Sequence, residues 1–324
     1  MKKVIMYVIA VIIIAIALSL VYVKSFLPDV GDAPELVVEI TPEKIERGEY
    51  LANHVMVCMD CHSTRDWSSF SGPPVEGTNG KGGEVFDQNM GFPGKYIAPN
   101  ITPFALGNWT DGEIFRAITT GVSKDGRALF PIMPYHYYGQ LDRLDIEAVI
   151  AYLRTLPPIE SEPEKSVSDF PMSFILNTLP KPAEFKSVPS GSDEVSYGKY
   201  MTMASGCIEC HTKQEKGKIV GEAYAGGFEF KFPDGSILRS SNITPHAETG
   251  IGNWTKEQFV EKFTLFADST YTPAHVPMGE FQTVMPWTMY GGMTVEDLEA
   301  IYAYLMSISP VENEIARYTP ANQN

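Results

Sequence analysis

All four cysteines of this 324-residue chain fall in two copies of one five-residue pattern. Cys58-Met59-Asp60-Cys61-His62 is the first and Cys207-Ile208-Glu209-Cys210-His211 the second. The pattern C-x-x-C-H reads as covalent attachment of a c-type haem: two thiols bond the porphyrin vinyl groups and the adjacent imidazole becomes the proximal iron ligand. A redox disulfide is the poorer reading, because the βαβ context is missing and the histidine has no role in it. A four-cysteine zinc site is poorer too, because it wants its pairs roughly 15–20 residues apart, whereas these lie 149 apart. Two haem c groups are therefore expected, held by Cys58, Cys61 and His62 and by Cys207, Cys210 and His211.

The repetition extends well beyond the cysteines. Gly48-Glu49-Tyr50 returns as Gly198-Lys199-Tyr200, and Gly82-Gly83 with Phe86 as Gly226-Gly227 with Phe230. Asn100-Ile101-Thr102-Pro103 returns as Asn242 to Pro245, and Gly107-Asn108-Trp109-Thr110 as Gly252 to Thr255. Met133-Pro134-Tyr135 matches Met285-Pro286-Trp287, and from there the match is ungapped at an offset of 152. An internal duplication with one haem per unit is the simplest account. The expected division is an anchor at 1–24, a linker at 25–39, domain 1 at 40–158, an interdomain segment at 159–190, domain 2 at 191–312 and a polar tail at 313–324.

Each unit reads as three helices with long loops. Thr41-Pro42-Glu43 supplies a cap, a proline at the first helical position and an acid in the first turn. Thr110 with Glu113, and Thr255 with Gln258, predict capping boxes. Asp142 and Thr294 open the closing helices, where Leu144, Ala148, Ala151 and Tyr152 are expected on one face. Residues 63–99 are rich in Gly and Pro; a loop of that length as a rule has a function, and wrapping a cofactor would supply one. Phe228, Phe230 and Phe232 before Pro233-Asp234-Gly235 predict a small hairpin. The apolar stretch Phe170 to Leu176 is expected to pack across the two domains.

The residue opposite each proximal histidine decides the chemistry, since methionine fills the iron and raises its potential while an open position allows catalysis. Met133 and Met285 are the methionines placed equivalently in both repeats, 71 and 74 residues after His62 and His211. They are the expected axial and metal ligands. Met278, Met289 and Met293 are rivals in the second unit and His136 in the first. His54, His246 and His275 lack a repeat partner and read as structural. Trp109 and Trp254 read first as aromatics beside a helix start, with an indole N–H that could instead reach a haem propionate. The Asn-x-Thr matches at Asn100, Asn108, Asn242 and Asn253 are discounted as glycosylation sites because Asn100 and Asn242 belong to repeated structural motifs.

The N-terminus adds a location. Met1-Lys2-Lys3 precedes an apolar run from Val4 to Val23, long enough at about 1.5 Å per residue to cross a bilayer core of roughly 30 Å. Ala15-Ile16-Ala17 resembles a cleavage site, but the run continues apolar beyond it, so an uncleaved anchor is the expectation. The positive-inside rule puts the N-terminus in the cytoplasm and the haem domains outside the cytoplasmic membrane. Beyond residue 24 the chain carries 22 basic against 40 acidic residues, −18. Such a surface excludes nucleic acid and suits a redox partner with a basic docking patch.

On these residues each half resembles a class I cytochrome c: C-x-x-C-H after a first helix, a late Met-Pro, and a closing helix ending Tyr152-Leu153 or Tyr304-Leu305. Over about residues 40–312 the chain is similar to membrane-bound dihaem cytochromes c. It is similar above all to the cytochrome c subunits of membrane alcohol and gluconate dehydrogenases, whose Asn-Ile-Thr-Pro and Gly-Ile-Gly-x-Trp-Thr signature stands at 242–245 and 250–255. Those subunits usually carry three haem motifs; this chain carries two. The resemblance implies a mainly α fold, with a transmembrane helix followed by two tandem cytochrome c-like domains with little β. It implies electron transfer between a respiratory or dehydrogenase complex and a terminal acceptor, as a relay more than as an independent enzyme. Alternative readings are a dihaem peroxidase or thiosulfate dehydrogenase with one catalytic haem, and a structural-and-relay subunit working only inside an oxidase or dehydrogenase complex.

Overall fold

A computed structural model describes residues 1–321; the last three residues of the expected polar tail, 322–324, lie outside the described residues. The chain is mainly helical, and its strands are two to four residues long. The N-terminal helix runs Lys2–Phe26 with none of its residues buried. The mean hydropathy of an 18-residue stretch within it is 3.1, and at about 1.5 Å per residue the helix is long and apolar enough to cross a membrane.

The linker expected at 25–39 is extended and partly docked. The Val38 amide donates to the Asp111 carboxylate at 2.8 Å, and Val38 itself is buried.

Two similar helical arrangements follow. In the first, the opening helix Pro42–Tyr50 starts at Thr41, whose hydroxyl accepts from the Lys44 amide, with proline at the first position. It widens into a π-type turn at Leu51–Val55 and gives way to the single turn Cys58–Cys61. The middle helix Asp111–Thr120 opens on the complete Thr110/Glu113 capping box. The closing helix Arg143–Thr155 is capped by Asp142. In the second arrangement the corresponding helices are Glu194–Ala204, Cys207–Cys210, Lys256–Thr264 and Val295–Ser307, with the Thr255/Gln258 capping box and the Thr294 cap in place.

Opening and closing helices cross at a glycine in each case. A Cβ at Gly48 would lie 1.9 Å from the Ala148 carbonyl oxygen, and one at Gly198 1.8 Å from that of Ala300. No other residue allows backbones so near, so the repeated Gly-x-Tyr fixes the crossing point.

Three expectations need correction. Leu144 is 64% exposed, while the buried face of the closing helix runs through Asp145, Ala148, Val149 and Tyr152. The first turn overhangs the core, and Asp145 goes inward because Arg47 and Tyr200 bind it. Phe170 to Leu176 does not bridge the two arrangements. It forms a short turn at Met172–Ile175 beside the end of the N-terminal helix, where Asn177 Nδ2 donates to the Val23 carbonyl at 3.2 Å. The expected polar tail contains a strand, Tyr318–Thr319, that pairs with Ile237–Arg239 as the third strand beside the hairpin partner Glu229–Lys231. The hairpin itself stands where the alternating phenylalanines predict it. A second small sheet joins Val85–Phe86, Gly94–Ile97 and Val167–Ser168, drawing residues 167–168 onto the first arrangement.

The two arrangements share one continuous apolar core, which includes Leu51, Met59, Ile146 and Ile150 from the first and Met201, Met289, Leu298 and Leu305 from the second. The Leu51–Val55 turn packs on the helical turn Trp287–Tyr290, while Tyr135–Tyr138 packs on the helix Glu194–Ala204. Residues 67–71 also run along residues 274–276 and 282: Phe70 N–H donates to Ala274 at 2.8 Å, and Val276 N–H to Ser68 at 2.8 Å.

Candidate functional site: two matching thiol–imidazole centres

Each C-x-x-C-H motif folds the same way. A left-handed residue, Val57 (φ 44°) or Gly206 (φ 64°), turns the chain into the short helix that carries the two thiols. A tyrosine from the turn before the closing helix ties down the carbonyl just ahead of that residue. Tyr138 donates to Met56 at 3.1 Å, and Tyr290 donates to Ser205. The four thiols are free. Burial pushes Cys58, Cys207 and Cys210 up to about 12, and Cys61 higher still.

Both imidazoles are oriented by a backbone carbonyl. His62 Nδ1 lies 2.7 Å from the Pro99 oxygen, and His211 Nδ1 lies 2.7 Å from that of Ser241. A carbonyl can only accept, so Nδ1 carries the proton and Nε2 keeps a bare lone pair. Burial lowers both histidines, more than the carbonyl bonds raise them, so the neutral imidazole that a metal needs is favoured.

Those two carbonyls come from the residues just before Asn-Ile-Thr-Pro. In each copy the asparagine side chain is a hub. Asn100 Oδ1 accepts from the Thr102 amide and hydroxyl at 2.8 Å each, while its Nδ2 donates to Ile159 and Ser161 at 2.8 and 3.0 Å. Asn242 accepts from the Thr244 amide and hydroxyl and donates to Val311 at 2.8 Å and to Thr249 at 3.1 Å. The hub ties the strand beside the histidine to the chain leaving the closing helix. The repeated glycines close the other side. Gly82 N–H donates to the His62 carbonyl at 2.8 Å, and Gly226 N–H to that of His211 at 2.7 Å. Both have φ 75°. A Cβ on Gly82 would come within 2.6 Å of the Ala98 carbonyl, and one on Gly226 within 2.5 Å of Ser241.

Met133 and Met285 are half-buried against the core. They sit in the same turn: the Tyr135 amide donates to the Met133 carbonyl at 2.7 Å, and the Trp287 amide to that of Met285 at 2.8 Å. Met278 is 93% exposed, whereas Met289 and Met293 are buried in the core. Trp109 packs on the core, and Trp254 is 36% exposed. Their carbonyls accept from Arg154 and from Tyr302. His136 Nε2 lies 3.2 Å from Glu209 Oε1, inside the other unit's cysteine motif. His54 Nδ1 lies 2.8 Å from the Met289 carbonyl. His246 Nδ1 is 3.0 Å from the Thr249 hydroxyl.

The donor set fits a covalently held haem in both places. Paired thiols flank one helical turn, and a neutral imidazole with a bare Nε2 follows directly. The buried Tyr135 hydroxyl, two residues after Met133, has no hydrogen-bond partner among the described residues. Sequence reasoning missed the carbonyls of Pro99 and Ser241 and the hubs Asn100 and Asn242. The signal was present, because Asn-Ile-Thr-Pro recurs at the same place in both units.

Comparison with known proteins agrees with this chemistry. Residues 195–309 match the cytochrome c family. The cytochrome c subunit of a quinone alcohol dehydrogenase from Gluconacetobacter polyoxogenes is 26% identical over 295 residues, covering 85% of this chain and 58% of the relative. The fructose dehydrogenase cytochrome subunit of Gluconobacter japonicus is 28% identical over 280 residues, covering 82% and 52%. A diheme cytochrome c-type protein of Cereibacter sphaeroides is 28% identical over 291 residues, covering 86% and 90%. The chain thus spans a little over half the length of these two dehydrogenase subunits. Residues 195–309 thus match a cytochrome c domain, and along most of its length the chain is similar to proteins named as cytochromes c or cytochrome c subunits.

Proposed function

We propose that the chain is a membrane-anchored electron carrier with two covalently bound c haems, one in each of two tandem domains at 40–158 and 191–312. The observation that carries this reading is the paired histidine arrangement. His62 and His211 each follow two free thiols, and each has Nδ1 committed to a backbone carbonyl, which leaves Nε2 for iron. Bound haem iron supplies a one-electron ferric/ferrous couple. Cys58 and Cys61, and Cys207 and Cys210, would hold the haems, with His62 and His211 as iron ligands and Met133 and Met285 as the thioether donors. The Pro99 and Ser241 carbonyls fix the ring planes and make each imidazole a stronger donor.

The apolar helix Lys2–Phe26 supports a membrane anchor, and the two lysines ahead of the apolar run support a cytoplasmic N-terminus with the haem domains outside. Most of the relatives are dehydrogenase subunits, which supports a membrane dehydrogenase or respiratory complex as electron donor. The −18 charge of the external part favours an acceptor with a basic patch.

Mass spectrometry and a pyridine haemochrome assay of the purified chain test the count; two haems per chain are expected, and one would overturn the dihaem reading. Met133→His and Met285→His should each remove part of the weak far-red absorption of ferric methionine-ligated haem. An unchanged band would reassign the sixth ligands. Rapid peroxide turnover would favour a peroxidase instead.

A further inference from the structure

The segment 167–178 sits beside the external end of the N-terminal helix. Asn177 Nδ2 bonds the Val23 carbonyl, and the Lys24 ammonium lies 5.2 Å from the centre of the Phe174 ring. Phe174 meets Phe170 edge to face at 6.2 Å. Yet Phe170 is 80% exposed, Val167 64% and Ile175 43%. On the helix itself Phe26 is 66% exposed and stacks on Tyr22. Water-exposed aromatic and aliphatic side chains gathered in this way mark an interaction surface.

Its level identifies what covers it. The apolar run from Val4 to Val23 has the length of a hydrocarbon core of about 30 Å. Val23, to which Asn177 is tied, therefore lies where the acyl region gives way to headgroups. Tyr22, Phe26, Phe170 and Phe174 fall at the depth where amphipathic aromatic belts sit. Lys24 reaches outward over Phe174, as a snorkelling lysine does. The neighbouring acid Asp169 is drawn away toward the protein, with its carboxylate on Gln88 at 2.9 Å and its amide on the Pro93 carbonyl at 3.0 Å.

We propose that Phe170 and Ile175 form a second membrane contact, dipping into the lipid headgroup–acyl boundary beside the anchor. The proposal rests on the anchor reading above and deepens it. A single helix would leave the haem domains free to swing. The docked linker at Val38, the Asn177 tether and an inserted Phe170 together hold them at one tilt to the bilayer, which decides which haem edge meets a membrane partner.

The test uses the full haem-loaded chain in vesicles of phosphatidylcholine and phosphatidylglycerol. A nitroxide is placed on single added cysteines in Phe170→Cys, Ile14→Cys and Met278→Cys, with Ile14 as the bilayer control and the 93% exposed Met278 as the water control. Collision of each label with dissolved oxygen is compared with collision with a water-soluble nickel chelate. The label at 170 is expected to favour oxygen several-fold over the label at 278, approaching the value at 14. Oxygen preference at 14 with a water-like value at 170 overturns the second contact and leaves the anchor standing. A water-like value at 14 overturns both. Because Phe170 is exposed, its replacement leaves the fold intact.

Discussion

The phenol of Tyr200 donates to the buried carboxylate of Asp145 at 2.6 Å, and Tyr50 does the same to Asp297 in the reverse direction across the boundary between the two units. Each hydroxyl also accepts a backbone N–H from the partner helix's cap, Asp142 to Tyr200 and Thr294 to Tyr50, at 3.1 Å in both cases. These four residues are repeat equivalents. The duplicated sequence therefore supplies both halves of its own interface, and the two sites are held by reciprocal clamps about a pseudo-twofold axis. The clamps differ in one respect. Asp145 is also gripped by Arg47 through both carboxylate oxygens at 2.9 Å, whereas Asp297 has the neutral phenol of Tyr197 at 2.7 Å.

That difference predicts unequal mutants. Tyr50→Phe leaves the buried Asp297 with one phenol and no direct ion pair, Arg47 acting on it only from a distance, whereas Tyr200→Phe leaves Asp145 bonded to its arginine. Stranding a buried polar group costs about 1–3 kcal/mol, so Tyr50→Phe should sit at the upper end of that range and Tyr200→Phe at the lower. Thermal unfolding of the haem-loaded variants, followed by circular dichroism, measures both; equal losses would mean that Arg47 contributes nothing.

The glycines beside the histidines give a sharper test. Gly226→Ala must accommodate a left-handed alanine, at about 1–2 kcal/mol, and a Cβ 2.5 Å from the Ser241 carbonyl. Because that carbonyl orients His211, the strain is directed at the imidazole. Lower haem-loaded yield and a shifted reduction potential for the second haem alone are expected in potentiometric titration. Gly82→Ala should do the same to the first haem.

Much of this was legible beforehand, for identifiable reasons. Cap, box and motif signals are local, so Thr41, Thr110, Thr255 and both C-x-x-C-H turns stand where the residues place them. The clamps were illegible because Tyr50 and Asp297 are 247 residues apart, and each alone reads as an ordinary polar residue on a helix. Leu144 misled because periodicity assigns a face without showing where the core ends. Phe170 to Leu176 misled because an apolar stretch demands cover without naming its source, and here the neighbour is the end of the N-terminal helix.

Replacing Asn242 by Asp tests the hub. Its Nδ2 donates to the Val311 carbonyl and the Thr249 hydroxyl; a carboxylate would set an acceptor against the Val311 carbonyl inside a buried site. The expected loss is about 2 kcal/mol or more. A shift in the second haem's potential should accompany it, because the Ser241 carbonyl that orients His211 is no longer pinned. Asn242→Ala removes the repulsion and should shift the potential with a smaller loss of stability. A potential unchanged in both would show that the hub serves folding alone.

Acid should loosen the contact between the Met133 turn and the second cysteine motif. Burial pushes the Glu209 carboxyl up, but hydrogen bonds from His136, Tyr137 and Gln214 more than offset this and hold it below the usual glutamate range. A carboxyl lowered on folding contributes stability that is fully present above its unfolded value, about 4.3, and is lost as pH falls through the folded value. Unfolding curves of wild type and Glu209→Gln should therefore lie apart at neutral pH and converge below about pH 4. Tyr137→Phe should narrow the gap at neutral pH, since it removes one donor to the carboxylate. A gap that widens on acidification would mean that Glu209 is held above its ordinary value, with burial outweighing its partners.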